Sequence, residues 1–254
     1  MLNIFTYNCI VDFLFMLIFL VEFMSISSIY IENESRIVSY LLENSITIEK
    51  NGLFHGKMGI VLFFAIYGQK KRERAYQDFS QTLLDNIWEN IDNDIPVNLA
   101  SGLAGIGWGI EYLIQNGFVS GDIQEICADI DKAIMEFDSA LISDYSIKTG
   151  ITGIIFYVLS RIKGNTLQNA KRPFNEKYLS HLFDKATYIY YYKNDPEMKW
   201  IAGQFIKYII ENKLDYTLDI SPFIEKKEIP ESNISFNDLG LNKGVTGKIL
   251  LQCL

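Results

Sequence analysis

Histidine and cysteine are scarce in this chain, and that scarcity sets the first limit on its chemistry. Its 254 residues hold two histidines, His55 and His181, and three cysteines, Cys9, Cys127 and Cys253. An odd number of widely spaced cysteines gives neither a disulfide framework nor a Cys-x-x-Cys metal knuckle. Reduced thiols in a cytoplasmic protein are the default reading. Positive charge is sparse as well: 23 Lys and Arg stand against 31 Asp and Glu, for a net charge of −8. The one basic cluster, Lys70-Lys71-Arg72-Glu73-Arg74, is too short a footprint for a nucleic-acid partner and reads as a solvated loop between helices. No Lys or Arg precedes Arg36, so a basic signal-peptide n-region is not expected. The apolar stretch Phe13–Val21 is nine residues long, bounded by Asp12 and Glu22, short of the about 20 that a spanning helix needs. Residues 1–30 read as an N-terminal extension, either an added buried helix or an over-extended start with Met24 as the true one. A membrane anchor, with membrane association of the protein, is the alternative. Proline occurs only five times, and no period-2 alternation bounded by hairpin turns is present, which excludes a sheet and leaves an all-α protein.

What the chain does have is a repeated Gly-x-x-Gly step, each copy opening an apolar run. The copies are His55-Gly56-Lys57-Met58-Gly59, Ser101-Gly102-Leu103-Ala104-Gly105, Thr149-Gly150-Ile151-Thr152-Gly153 and Lys243-Gly244-Val245-Thr246-Gly247. Their first glycines lie at 56, 102, 150 and 244, at intervals of 46, 48 and 94, the last being twice 47. A fixed period of this size means stacked copies of one supersecondary unit. At the entrance of a tightly packed helix, such glycines supply either positive φ or close backbone approach. A phosphate loop does not fit, because no Gly-Lys-Ser/Thr follows any copy and no strand precedes one.

Each repeat pairs two kinds of helix. Ile60–Tyr67 is apolar all round, as in a helix buried on every side, whereas Phe79, Leu83, Ile87 and Ile91 recur at i, i+4 among polar residues and predict an amphipathic outer helix. The second cycle has its inner helix over Ile106–Ile114, a capping-box start at Asp122-Ile123-Gln124-Glu125, and Ile126, Ile130, Ile134, Phe137 and Leu141 on one outer face. The third runs over Ile154–Ile162 and from about Tyr178 to Tyr190. Near residue 197, where the glycine beat is missing, Ile201, Phe205, Ile206, Ile209 and Ile210 predict a degenerate fourth inner helix. Residues 211–238, with Pro222 and Pro230, predict a poorly helical connection. The first outer helix is expected over Glu32–Leu42. Cys127 is expected in the core of the second outer helix and Cys253 buried in the last inner one. The run Tyr188-Ile189-Tyr190-Tyr191-Tyr192 reads as an aromatic wall or interface, or as a half-buried helix end.

Alternating outer and inner helices with entrances such as Gly52-Leu53-Phe54-His55-Gly56-Lys57-Met58-Gly59 and Leu99-Ala100-Ser101-Gly102-Leu103-Ala104-Gly105-Ile106-Gly107 resemble the lanthionine synthetase C-like (LanC-like) family. The resemblance covers roughly residues 34–254. It implies an α/α toroid of repeated outer/inner helical hairpins, normally seven pairs around a central cavity, of which about five are countable in a domain over residues 31–254. Catalytic members form thioether rings by adding a peptide Cys thiolate to a dehydrated Ser or Thr. They hold zinc through a Cys in a Trp-Cys-Tyr-Gly motif and a later Cys-His pair. Here the corresponding copy reads Leu241-Asn242-Lys243-Gly244, so Asn242 stands where a Cys ligand would be, and no Cys-His pair exists.

The resemblance therefore implies a peptide-modification context without zinc, as a fragment or a non-catalytic member. Metal ligands and a cofactor are not expected. His55 is the one catalytic candidate, read either as a helix-entrance side chain bonded to a carbonyl or as a proton donor facing the cavity. The remaining candidate positions are the entrance glycines Gly56, Gly59, Gly102, Gly105, Gly150, Gly153, Gly244 and Gly247. Two alternatives stand beside this reading: a peptide-binding or scaffold partner of a peptide-maturation enzyme, and a carbohydrate-active toroid. The latter needs two carboxylates facing one cavity roughly 5 to 9.5 Å apart, and Glu111 is the acid nearest an entrance. Partners are a peptide or a maturation enzyme. Five pairs out of seven would leave inner faces uncovered around Ile249, Leu250 and Leu251, and self-association is expected for that reason.

Overall fold

The computed structural model describes residues 34–91, 95–137, 139, 142–168, 170–224, 239–242 and 244–254. Residues 1–30 with Phe13–Val21 and Met24, Cys9, Leu141 and the second half of the 211–238 connection, residues 225–238, lie outside them. The chain divides into two compact units, residues 1–43 and 44–254. In the first, the described residues belong to a helix over 34–44 (α1), where the sequence predicts one over Glu32–Leu42.

The second unit carries the repeat. Its inner helices are α2 (Lys57–Lys71), α4 (Leu103–Gln115), α7 (Ile151–Leu167), α9 (Pro196–Glu211) and α10 (Val245–Cys253). Its outer ones are α3 (Arg74–Glu89), the short pair α5 (Ile123–Ile126) and α6 (Ala128–Glu136), and α8 (Glu176–Tyr192). No strand occurs among the described residues. As the all-round apolar patterns predict, α2 is buried without interruption from Lys57 to Gly68 and α7 from Ile151 to Ile162. On α3, burial falls on one face at Leu83, Leu84 and Ile87. The predicted cap at Asp122 is present, its carboxylate accepting from the Gln124 N–H at 2.9 Å. The helix it starts is short, however, and breaks at the buried Cys127 before resuming as α6. It then ends at Glu136, so Phe137 is extended and 44% exposed rather than on the apolar face.

The glycine entrances have one mechanism. The first glycine is the N-cap in extended backbone, with φ of −139° at Gly56, −120° at Gly102, −105° at Gly150 and −84° at Gly244. Positive φ is therefore not what these positions require, and close approach is. The loops before α2, α4 and α7 fold back over the first turn, and in each the N–H after the first glycine donates to a carbonyl seven residues upstream. Lys57 donates to Lys50 at 2.9 Å, Leu103 to Pro96 at 2.8 Å and Ile151 to Asp144 at 3.0 Å. A Cβ on the second glycine would lie 2.4 Å from the Leu53 carbonyl at Gly59, 1.9 Å from that of Leu99 at Gly105, 2.1 Å from that of Ile147 at Gly153 and 2.0 Å from that of Leu241 at Gly247. Helix-end donors that would otherwise be orphans are thus satisfied by backbone. The degenerate copy has lost this device, and a side chain replaces it: Asp195 accepts from the Met198 N–H at 3.0 Å with Pro196 in the first turn. Only one face of α9 is buried.

The inner helices pack in the order α10, α2, α4, α7, α9. The last inner helix thus lies against the first, and of the residues expected on its uncovered face Ile249 and Leu250 are buried while Leu251 is part-exposed. Cys253 is only part-buried at the end of α10. Between α9 and α10 the described part of the connection is non-helical apart from one 3-10 turn, Ser221–Phe223. Phe223 packs edge-on against Trp108 at 4.6 Å between ring centroids and tilted against Phe54 at 5.3 Å.

Gly105→Ala is expected to destabilise the protein by about 3 kcal/mol or more, since the new methyl meets a backbone carbonyl that cannot rotate away. Gly203→Ala in α9, where a Cβ would meet only the exposed Tyr190 ring at 3.3 Å, is expected to be neutral or to stabilise by roughly 0.5–1 kcal/mol. Urea unfolding of the two variants checks the contrast.

Candidate functional site

The residue two before the first glycine is equivalent in every intact repeat: Phe54, Ala100, Lys148 and Asn242. These four positions are joined in a closed circuit. The Phe54 N–H donates to the Ala100 carbonyl and the Ala100 N–H to the Lys148 carbonyl, both at 2.9 Å, and the Asn242 N–H donates to the Phe54 carbonyl at 3.3 Å. Side chains make the last link, the Lys148 ammonium donating to Asn242 Oδ1 at 2.7 Å. Asn242 Nδ2 in turn donates to the Phe223 carbonyl at 2.6 Å, and Lys148 Nζ sits 5.4 Å from the Phe54 ring centroid.

Beside this circuit, where the degenerate repeat leaves a gap, lies a cavity of about 960 Å³. Its wall is largely aromatic, built from Phe54, Phe156, Trp200, Tyr216 and Phe223, and both Lys148 and Asn242 line it. The size suits a ligand of peptide or drug dimensions, at the upper end of the roughly 300–1,000 Å³ of such sites. Acids enter it from two places, Asp195 and Glu197 at the start of α9 and Asp219 before the 3-10 turn. Asp219 accepts from the Ser221 N–H at 2.9 Å and from its hydroxyl at 2.6 Å.

The model of the family described as lanthionine synthetase C-like protein matches residues 47–254. The chain belongs to this family. No curated protein matches it. The site lies where the LanC-like resemblance places zinc, but the residues present do not fit the metal. Asn242, in the position of a Cys ligand, has its amide oxygen and nitrogen both engaged, and the ammonium it accepts from would repel a cation. Cys127 is buried, and desolvation raises its thiol far above the ordinary range, which disfavours the thiolate a metal needs. Among the described residues no three His, Cys, Asp or Glu side chains gather as a metal-binding group.

The other sequence candidates separate. The entrance glycines shape the backbone above the inner helices, and none is among the cavity's described lining. His55 is exposed just before the N-cap Gly56 and is likewise absent from that lining. His181 is exposed on α8, as are Tyr190, Tyr191 and Tyr192 at its end. Glu111 does not face the cavity as a carbohydrate-active site would need; it is fully buried in a cluster that sequence reading missed. There Arg161 of α7, itself fully buried, donates through Nη1 to Glu111 Oε1 at 2.8 Å. Through Nε it reaches both oxygens of Asp131 on α6, Oδ1 at 3.1 Å and Oδ2 at 3.0 Å, and through Nη2 it donates to Oδ2 at 2.6 Å. The Tyr157 hydroxyl adds a bond to Asp131 at 2.6 Å. The signal was available: an arginine within the buried stretch of an inner helix must bring its own counter-charges.

With both acids ionised the cluster holds an excess negative charge in the core. Burial accordingly pushes the Glu111 carboxyl from 4.5 up to about 7, against the opposing pull of Arg161. An acid whose pKa is raised by folding favours the folded state fully below its unfolded value, and that contribution is lost as pH rises through the folded value. Stability should therefore fall between about pH 4.5 and 7 through this group, by on the order of 3 kcal/mol. Glu111→Gln should remove that part of the slope. Unfolding free energies of the two proteins across this pH range check it.

Proposed function

We propose that this LanC-like protein binds a peptide in the aromatic cavity and serves peptide maturation in the cytoplasm without zinc-dependent thioether chemistry of its own. One observation carries the reading: the family's ligand position is held by Asn242, and the position equivalent to it in the third repeat, Lys148, gives it an ammonium partner. Such a pair tolerates an amide or carboxylate and disfavours a divalent cation, so the site keeps the family's cavity while losing its Lewis acid. The cavity's aromatic walls suit side chains, and Lys148 suits backbone carbonyls. A scaffold role beside a maturation enzyme is the second reading, favoured by the exposed Tyr190, Tyr191 and Tyr192; co-purification of such an enzyme with the chain separates the two. The carbohydrate-active reading loses support, since Glu111 is consumed by Arg161 in the core and is absent from the cavity's described lining.

The purified protein should hold far less than one zinc per chain after dialysis against a chelator, measured by elemental analysis. Asn242→Cys alone should not raise that content, because Lys148 remains. Stoichiometric zinc in the unaltered protein would overturn the reading.

A further inference from the structure

We propose that the cavity is selective for a basic, apolar segment: a peptide in which lysine or arginine side chains accompany leucine-like or aromatic ones. This rests on the peptide reading above and adds the charge class of the ligand. Among the described lining residues, Asp195, Glu197 and Asp219 supply three carboxylates against the one ammonium of Lys148. Asp195 and Asp219 accept backbone N–H groups, which hold the two side chains in place. Each still has lone pairs for a second donor. Lys148 directs part of its charge into the Asn242 amide and the Phe54 ring.

The aromatic wall adds to the same preference. Trp200 and Tyr216 stand edge to face, 5.6 Å apart at 86°, and aromatic faces attract cations as well as apolar groups. The Tyr216 ring already accepts one cation, Lys163 Nζ, 4.9 Å from its centroid. Tyr216 is 8% exposed and lends the wall its ring rather than its hydroxyl, which is buried. The chain's net charge of −8 steers a basic ligand in and an acidic one away.

The test uses three short amidated peptides that share their Leu and Phe positions and carry Lys, Gln or Glu at the others. Binding to the full chain is followed by calorimetry and by tryptophan fluorescence, since Trp200 lines the cavity. The Lys peptide is expected to bind at least tenfold more tightly than the Glu peptide, with a preference that shrinks as salt rises. Glu197→Lys, at an exposed position, should remove most of that preference, and Trp200→Ala should weaken all three peptides together. Equal binding of the three would overturn the charge inference and leave the peptide reading standing. If none of the peptides binds, the non-peptide pair phenethylguanidinium and 3-phenylpropanoate decides separately. Selective quenching by the cation would keep the charge inference and sink the peptide reading, and no response to either would overturn both.

Discussion

The fold depends on a loop backbone that lies over the first turn of α2, α4 and α7 and accepts from it. One carbonyl, seven positions before the helix donor, leaves no room for a Cβ at the first glycine, and a second carbonyl three residues further on leaves none at the second. The loop is thereby held against the helix end, and its outer edge, two residues before the first glycine, is presented to the next repeat. The circuit through Phe54, Ala100, Lys148 and Asn242 follows from that placement. Because the donors of each entrance are already satisfied, these helix ends do not act as anion sites, although glycine-rich helix starts often do.

Much of this order was legible in sequence because it is local and periodic. A glycine that recurs at 46- to 48-residue spacing marks a steric requirement repeated in every unit, and burial on all sides shows as an unbroken apolar run over Ile60–Tyr67. The misses have the opposite character. Asp131 and Arg161 meet across 30 residues of sequence; the arginine's place in an inner helix calls for a counter-charge, but nothing local names Asp131 as its source. The break at Cys127 and the end at Glu136 divide a face whose spacing predicts one continuous helix, since tertiary packing overrides a weak local signal. The neighbourhood of α10 and α2 could not be read from a count of pairs, because counting says nothing of how a shortened ring closes. Lys148 and Asn242 lie 94 residues apart, the same interval as their glycines, so their equivalence was readable in register even though their contact was not.

Two regions handle charge in contrasting ways. The Arg161 cluster is dry, with both acids and the guanidinium removed from water; it ties α4, α6 and α7 together, and its cost is relieved when Glu111 takes up a proton. The cavity keeps its carboxylates at the ends of helical turns, where backbone donors hold them, and leaves Glu197 exposed. The first arrangement fixes how helices pack. The second leaves a surface whose charges remain available to a ligand.

The circuit of entrance loops has one link unlike the others. Three of its bonds are main-chain and would survive almost any substitution, whereas the fourth runs from an ammonium to an amide. Evolution can therefore rewrite that corner by changing two codons without disturbing the scaffold. The same ring can change its side-chain tether at a single seam, and the polarity of the chamber changes while its frame persists.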